Sequence, residues 1–388
     1  MGSQAQLRAL FVINSLAGGG AERVFTTLVR ELNGRADSFA ITVALLDEEA
    51  EEAYSLPEGI PVQRLDTGGG MFRSVTQLRR LVGQLRPDVT VSFLSRANVA
   101  AVVAMRRTGG PTVISERVNT TAHLKSGRFA FLSRLLIRGT YPTASRIVAV
   151  SEGVARTLES DFSVEPERIC VIYNPVDIDR IRKLAAWEPE IEVSSEDFVT
   201  MGRLVANKNT AMAIRALAAS GSAGKLIVLG EGPLRDELVA LAVSLGIGDR
   251  VRLAGFVANP YAVLARAGCY LLTSNAEGFP NAMLEAMACG LPVIATDCPS
   301  GPAEILQVGL ENTDKDGGAV FGSGGALVAM DDDRAMAHCM DRLSQPERRK
   351  ACVDEGLDRV DAFSVSRAVA AFRETILAAA TGNGVLPG

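Results

Sequence analysis

The sequence predicts an α/β protein built of two doubly wound, Rossmann-like domains facing across a cleft, and three observations predict it. The chain has 388 residues, more than one ordinary core accommodates. Short apolar runs of strand length alternate with stretches of helical periodicity. The alternation lapses after Asn174-Pro175-Val176-Asp177, in a charged, proline-containing linker ending near Ser195, and then restarts. The expected domains are residues 1–180 and 181–364, with a C-terminal helix over 365–381 packing back on the first.

In order, residues 9–14 read as a strand, 15–20 as a loop and 21–32 as a helix. Strands follow at 40–46, 62–65, 89–93, 112–115, 147–150 and 170–173, with helical periodicity between them, as at 75–85 and 97–107. The second half gives strand 198–201, helix 209–219, strand 226–229, helix 234–245 and strand 251–254. Residues 270–306 are the stretch around which the chain is organised. An apolar strand, Tyr270 onward, stops at Ser274-Asn275, and Gly278 and Pro280 forbid regular structure. Asn281 is the expected N-cap of a helix over 282–289, closed by Gly290 and Pro292 before a strand over 291–296. Strand, loop, helix and strand make a parallel βαβ unit. A glycine turn at 322–325, a helix over 332–343 and a helix over 365–380 complete the chain.

Composition narrows the function. The residues are 47% hydrophobic and 22% charged, as in a globular protein, and the net charge is −5. That charge and 5% aromatics argue against nucleic-acid binding. The six cysteines show no C-x-x-C spacing and read as buried free thiols. Two histidines, His123 and His338, make a histidine metal site improbable. The apolar start carries no basic region or cleavage site, so it reads as a strand and not a signal peptide, and no run spans a bilayer. Charge is unevenly spread: residues 60–160 hold 15 Lys and Arg against 5 Asp and Glu, a balance of +10. Within them Lys125, Arg128, Arg134 and Arg138 interleave with Phe129, Phe131 and Leu132. That stripe suits a helix lying on an anionic leaflet; the alternative is an ordinary amphipathic helix packed on a sheet.

Four loops that follow strands carry the candidate chemistry. Gly18-Gly19-Gly20 would let backbone N–H groups approach a phosphate or sugar, though glycine turns are common and the full G-x-G-x-x-G fingerprint is absent. Arg203, with Lys208 five residues on, can grip a diphosphate, or be two solvated cations. Gly230-Glu231-Gly232-Pro233 is a tight turn able to admit a flat base near residues 251–257, Phe256 among them, or simply a strand-to-helix turn. In the fourth loop Glu277, Gly278, Phe279, Pro280 and Asn281 lead into a helix N-terminus suited to negative charge. There Glu277 could bind sugar hydroxyls and Glu285 a ribose diol; dipole complementarity alone is the plainer account of such a carboxylate.

These residues also carry a resemblance. Glu277 and Glu285, with seven residues between them in E-G-F-P-N-A-M-L-E-A-M-A-C-G-L-P-V-I, resemble the E-x7-E signature of retaining glycosyltransferases of family 4, which have the GT-B fold. The resemblance runs through G-G-G-A-E-R-V, V-I-S-E-R-V-N, I-V-A-V-S-E-G-V, V-I-Y-N-P-V-D, G-R-L-V-A-N-K-N, L-G-E-G-P and C-P-S-G-P-A-E-I-L. It implies that Arg203 and Lys208 bind the nucleotide diphosphate and stabilise it as leaving group. It implies that Glu277 contacts the transferred sugar, Glu285 the ribose, and Gly19 and Gly20 the donor phosphates and acceptor. His123 lies where many relatives carry a histidine near the donor sugar; a packed histidine is the alternative. Glu116, Arg117 and Asn119 are the acceptor-side candidates. The 307–326 segment is longer than the family's usual link.

The implied reaction is same-face substitution: the diphosphate departs while the acceptor hydroxyl enters. Electrostatics then carries the chemistry, with no metal and no cofactor beyond a nucleotide-sugar co-substrate, expected to be a UDP-sugar. The expected acceptor is a polyprenyl-diphosphate-linked sugar or glycan of bacterial cell-surface polysaccharide synthesis, with the enzyme peripheral on the cytoplasmic face of the inner membrane. Alternatives are a sugar-nucleotide epimerase of the same fold, a non-catalytic nucleotide-sugar-binding subunit, and a Rossmann oxidoreductase, which would need the missing dinucleotide fingerprint.

Overall fold

The computed structural model describes residues 6–34, 39–49, 52–118, 130–311 and 315–382. The chain divides into two compact units, residues 1–175 with 365–388, and residues 176–364. Residues 176–180, expected in the first domain, thus lie in the second unit.

The first unit runs β1 (Leu7–Ile13), α1 (Gly20–Asn33), β2 (Phe39–Leu45), β3 (Val62–Arg64), α2 (Met71–Leu85), β4 (Val89–Phe93), α3 (Ser95–Met105), β5 (Thr112–Glu116), α4 (Ala130–Thr140), β6 (Arg146–Ala149), α5 (Glu152–Phe162) and β7 (Ile169–Val171). The strands form one parallel sheet in the order β3-β2-β1-β4-β5-β6-β7. Strands such as Val89–Phe93 are buried throughout, because helices cover both faces and leave no polar side to the pleat. On one face Phe25 of α1 meets Phe11 and Phe93 edge-on. On the other face Leu78 and Val82 of α2 pack with Ala97 and Ala101 of α3. The order reverses between β1 and β4, so their C-terminal ends bound the crevice where ligands of open α/β sheets bind.

The second unit comprises α6 (Ile178–Ala185), β8 (Phe198–Met201), α7 (Thr210–Ala219), β9 (Leu226–Leu229), α8 (Arg235–Ser244), β10 (Val251–Gly255), α9 (Pro260–Leu264), β11 (Cys269–Leu272), α10 (Asn281–Ala288), β12 (Val293–Thr296), α11 (Pro302–Leu306), β13 (Val320–Gly322), β14 (Gly325–Val328), α12 (Asp333–Leu343) and α13 (Pro346–Val360). Its sheet has the order β10-β9-β8-β11-β12-β14-β13, parallel except for the β13–β14 hairpin. The reversal falls between β8 and β11. The final helix, α14 (Val365–Thr381), returns to the first unit, where Phe372 stacks on Phe93 at 5.9 Å.

Several details depart from the sequence reading. The expected linker holds α6, capped by the Asp177 side chain, which accepts the Arg180 N–H at 3.0 Å. Its signal was weak because only Ile181 is fully buried. β13 is only three residues long and escaped notice within the 307–326 segment. Asn281 is the first residue of α10 and makes no side-chain cap; Pro280 holds the cap position, its fixed φ entering the helix.

Candidate functional site

In the second unit, the C-terminal ends of β8 and β11 bring two loops together. Lys208 leaves the first with its stem packed over Gly202, so that a Cβ at Gly202 would lie 3.6 Å from Lys208 Cε. Its ammonium meets Glu277 of the second loop at 2.5 Å. Asparagines hold the loops in register. Asn207 Nδ2 donates to Ala276 O at 2.9 Å, and Asn275 N–H to Asn207 O at 2.8 Å. Asn209 Nδ2 donates to Asn275 Oδ1 at 3.3 Å and to Asp331 Oδ1 at 2.8 Å, and Thr273 Oγ1 donates to Lys208 O at 2.8 Å. A third loop locks the second from behind. Ser300 Oγ donates to Glu277 O at 2.5 Å, and Gly301, at φ +98°, leaves 2.5 Å between a would-be Cβ and Pro280 Cδ.

Beyond this clamp α10 opens. Met283 and Leu284 donate their N–H groups to Pro280 O, which leaves the N–H groups of Asn281 and Ala282 at the open helix end. Pro280 has no N–H and so contributes none. Phe279 is buried against Phe363, ring centroids 5.4 Å apart, so its side chain belongs to the core. Glu285, one turn on, is 5% exposed. Glu277 and Glu285 together raise the hydroxyl pKa of buried Tyr270, adding to the effect of burial. Arg203 is exposed and forms no ion pair with a described residue. The switch point thus holds the Lys208–Glu277 pair next to a helix N-terminus, with Arg203 exposed on the loop after β8 and Glu285 buried one turn into α10.

The Gly-Glu-Gly turn is explained by close approach. A Cβ at Gly230 would lie 2.1 Å from Gly202 O, and one at Gly232 would lie 2.4 Å from Leu204 O. Gly230 N–H also donates to Gly255 O at 2.7 Å, which sets Glu231 beside the Gly255-Phe256 corner. Phe256 is 80% exposed there, a flat apolar face at the edge of the site.

In the first unit Gly18 and Gly19, at φ +133° and +150°, form the exposed turn into α1. A Cβ on Gly19 would strike Glu22, a carboxyl on the first turn whose pKa burial raises. Glu22 was absent from the candidates; it makes this loop a mixed donor and acceptor surface. Glu116 and Arg117, expected to meet the acceptor, are instead buried. Strand-end position gave no sign of that. On α4, Phe131, Leu132 and Leu135 are exposed and Ile137 is buried; Arg134 reaches Asp161 at 3.5 Å and Arg138 is exposed. His123, Asn119, Lys125, Arg128 and Phe129 lie outside the described residues. Among those described, no group of three or more His, Cys, Asp or Glu could hold a metal, and no helix is long and apolar enough to cross a membrane.

Known proteins resemble this chain throughout. Residues 18–180 match a family model described as Glycosyltransferase Family 4, and residues 195–345 one described as Glycosyl transferases group 1. A Campylobacter jejuni relative, the N-acetylgalactosamine-N,N'-diacetylbacillosaminyl-diphospho-undecaprenol 4-alpha-N-acetylgalactosaminyltransferase, is 30% identical over 90% of this chain and 94% of its own. A second transferase from that organism, which adds N-acetyl-D-galactosamine to a GalNAc-containing PP-undecaprenol glycan, is 27% identical over 93% and 95%. Among solved structures, Anabaena HepE in complex with UDP superposes with a TM-score of 0.74 at 20% identity, covering 96% of this chain and 100% of that one. The lipopolysaccharide outer core galactosyltransferase WaaB, also at 0.74 and 20%, covers 96% and 99%.

Proposed function

The chain belongs to glycosyltransferase family 4, with the GT-B fold, and is a glycosyltransferase of bacterial glycan synthesis; on that premise we propose that it moves an N-acetylhexosamine or hexose from UDP to a polyprenyl-diphosphate-linked acceptor, with retention and without a metal. The observation that carries the reading is the clamp that sets Lys208 on Glu277 at 2.5 Å beside the N-terminus of α10. Arg203, Lys208 and the α10 amides take the diphosphate and stabilise the charge that grows on it as the glycosidic bond breaks. Glu277 binds the sugar hydroxyls, Glu285 the ribose diol, and Phe256 with Glu231 offers the platform for the base. Cations supplied by the protein's own loops take the part a metal would otherwise take, so EDTA should leave turnover unchanged; loss of turnover in EDTA contradicts this part.

The relatives named for diphospho-undecaprenol acceptors favour a lipid-linked acceptor here. So does α4, which carries no acidic residue and exposes Phe131 at 77% alongside Leu135, Arg134 and Arg138. Apolar residues flanked by arginines match an anionic leaflet, and the enzyme then works as a peripheral protein on the cytoplasmic face of the membrane. The test follows UDP release from UDP-sugars with and without a short prenyl-diphosphate N-acetylhexosamine. Release that depends on the acceptor supports transfer. Interconversion of the donor without an acceptor identifies an epimerase.

A further inference from the structure

The loop from Glu277 to Pro280 has no regular structure of its own, and its shape is set from behind. Phe279 packs on Phe363, the ring planes tilted by 60° at a centroid separation of 5.4 Å. Phe363 is 2% exposed and stands in the turn that follows α13, Asp361–Phe363. Arg359, one turn earlier, lies over the same ring, 4.6 Å from its centroid. The Arg359 guanidinium also donates to Glu304 O and Ile305 O, each at 2.9 Å, carbonyls that the short α11 leaves open. The loop that leads into α11 carries Ser300 and Gly301, which hold Glu277 O and Pro280. The donor loop therefore rests on two supports, the Phe363 ring and the loop before α11, and one arginine joins them.

Phe363 also stands where the chain of the second unit begins and ends. Its carbonyl accepts the Val176 N–H at 2.8 Å, and Val176 and Ser364 form an isolated parallel bridge. Residues 176 and 364 are the first and last of this unit. One residue thus meets the donor loop with its side chain and the unit's entry and exit with its backbone. An aliphatic side chain would fill much of the same space, but only a ring can stack under Arg359 and meet Phe279 at an angle. Close-packed interiors pass on small displacements, and a small displacement of groups that hold a reacting substrate is costly in rate.

We propose that Phe363 is a positioning residue for the donor loop and couples it to the joint at Val176 and Ser364, so that donor binding and the state of the joint depend on each other. This rests on the reading that residues 277–281 hold the donor. Phe363 acts through Phe279, whose buried ring fixes the backbone between Glu277 and the N-terminus of α10. Because coupling between two sites is reciprocal, a donor that orders the loop tightens the Val176–Phe363 hydrogen bond, and loosening the ring weakens donor binding.

The test uses Phe363→Leu in the full chain, which keeps an apolar side chain and loses the ring. Leu343→Ala is the control: Leu343 is buried in the core of the same unit, so its truncation lowers Tm at least as much without touching the loop. In the ligand-free protein, Phe363→Leu should lower hydrogen-exchange protection of the Met283 and Leu284 amides, both donors to Pro280 O, and of the Val176 amide. The expected fall is about three- to tenfold, the worth of one aromatic pair, and Leu343→Ala should leave these amides unchanged. UDP should raise Val176 protection in the wild type and leave it unchanged in Phe363→Leu. With UDP-N-acetylgalactosamine and a short prenyl-diphosphate N-acetylhexosamine, donor kcat/KM should fall about tenfold in Phe363→Leu while acceptor KM holds. Met283 and Leu284 amides that exchange alike in wild type and Phe363→Leu overturn the proposal. So does a Val176 amide indifferent to UDP in a wild type that binds it, and so does a loss of kcat/KM in both variants in proportion to Tm, the mark of a structural role. Failure of the wild type to bind UDP overturns the functional reading instead, and the ligand-free protection factors still decide this one.

Discussion

Lys208 and Glu277 neutralise each other at 2.5 Å, whereas Arg203 is exposed, so on the proposed function Arg203 is the first cation a diphosphate meets. The proposed function has Lys208 then turn from Glu277 to the leaving group, a contact worth most as charge develops. Lys208→Ala should therefore lower kcat by about 10²–10³-fold in a transfer assay, with little change in Tm. The ribose contact proposed for Glu285 would be made in the ground state as well, so Glu285→Ala should mainly weaken UDP binding, by about tenfold in calorimetry. Glu116 bears on stability with a definite sign. Its folded-state pKa, about 7, lies above the ordinary 4.5, so the folded protein holds the proton more tightly than the unfolded chain. That contribution is complete below pH 4.5 and is lost as pH rises through 7. Glu116→Gln lacks it, so urea denaturation should show the variant gaining on the wild type between those values, by on the order of 3 kcal/mol. The charged candidates Arg203, Lys208 and Glu277 were legible in the sequence because they stand on loops that follow readable strands. The clamp was not: Asn207, Asn209 and Asn275 look like ordinary loop asparagines, and their partners lie more than sixty residues away. Burial of Glu116 was equally hidden, since a charged pair at a strand end normally signals an exposed loop.

At the scale of elements, the glycine turns decide whether loops reach one another. Gly230 lets the end of β9 lie on Gly202 O, and Gly301 lets the loop after β12 cover Pro280. Gly230→Ala and Gly301→Ala should each destabilise the fold by about 2–4 kcal/mol, because the obstructing atoms are backbone or a proline ring that cannot swing aside. A smaller effect, measured by chemical denaturation, would mean the loops can separate. Alternating periodicities made most strands and helices readable in sequence. Short or thinly apolar elements were not readable: α6 buries only Ile181, and β13 has three residues. Pro280 stands at the cap position with extended backbone, and Asn281 is the first helical residue, where its side chain makes no cap.

At the scale of the whole molecule, each unit reverses its strand order once, between β1 and β4 in the first and between β8 and β11 in the second, and candidate loops follow β1, β8 and β11. Topology alone thus selects the loops that composition had already made suspicious. On the first unit, α4 offers the proposed membrane association a physical handle. Replacing Phe131 and Leu135 by Asp should cut flotation with anionic vesicles by about tenfold or more. Equal flotation of wild type and variant would detach α4 from the membrane reading. The central claim is that Lys208, Glu277, Arg203 and the α10 N-terminus form the donor site of a UDP-sugar transferase. It is met most directly by measuring UDP release and labelled product from UDP-N-acetylgalactosamine and a prenyl-diphosphate N-acetylhexosamine, with wild type and Lys208→Ala side by side. Acceptor-dependent release that the substitution abolishes is the predicted result, and wild-type turnover in the Lys208→Ala protein would contradict the account.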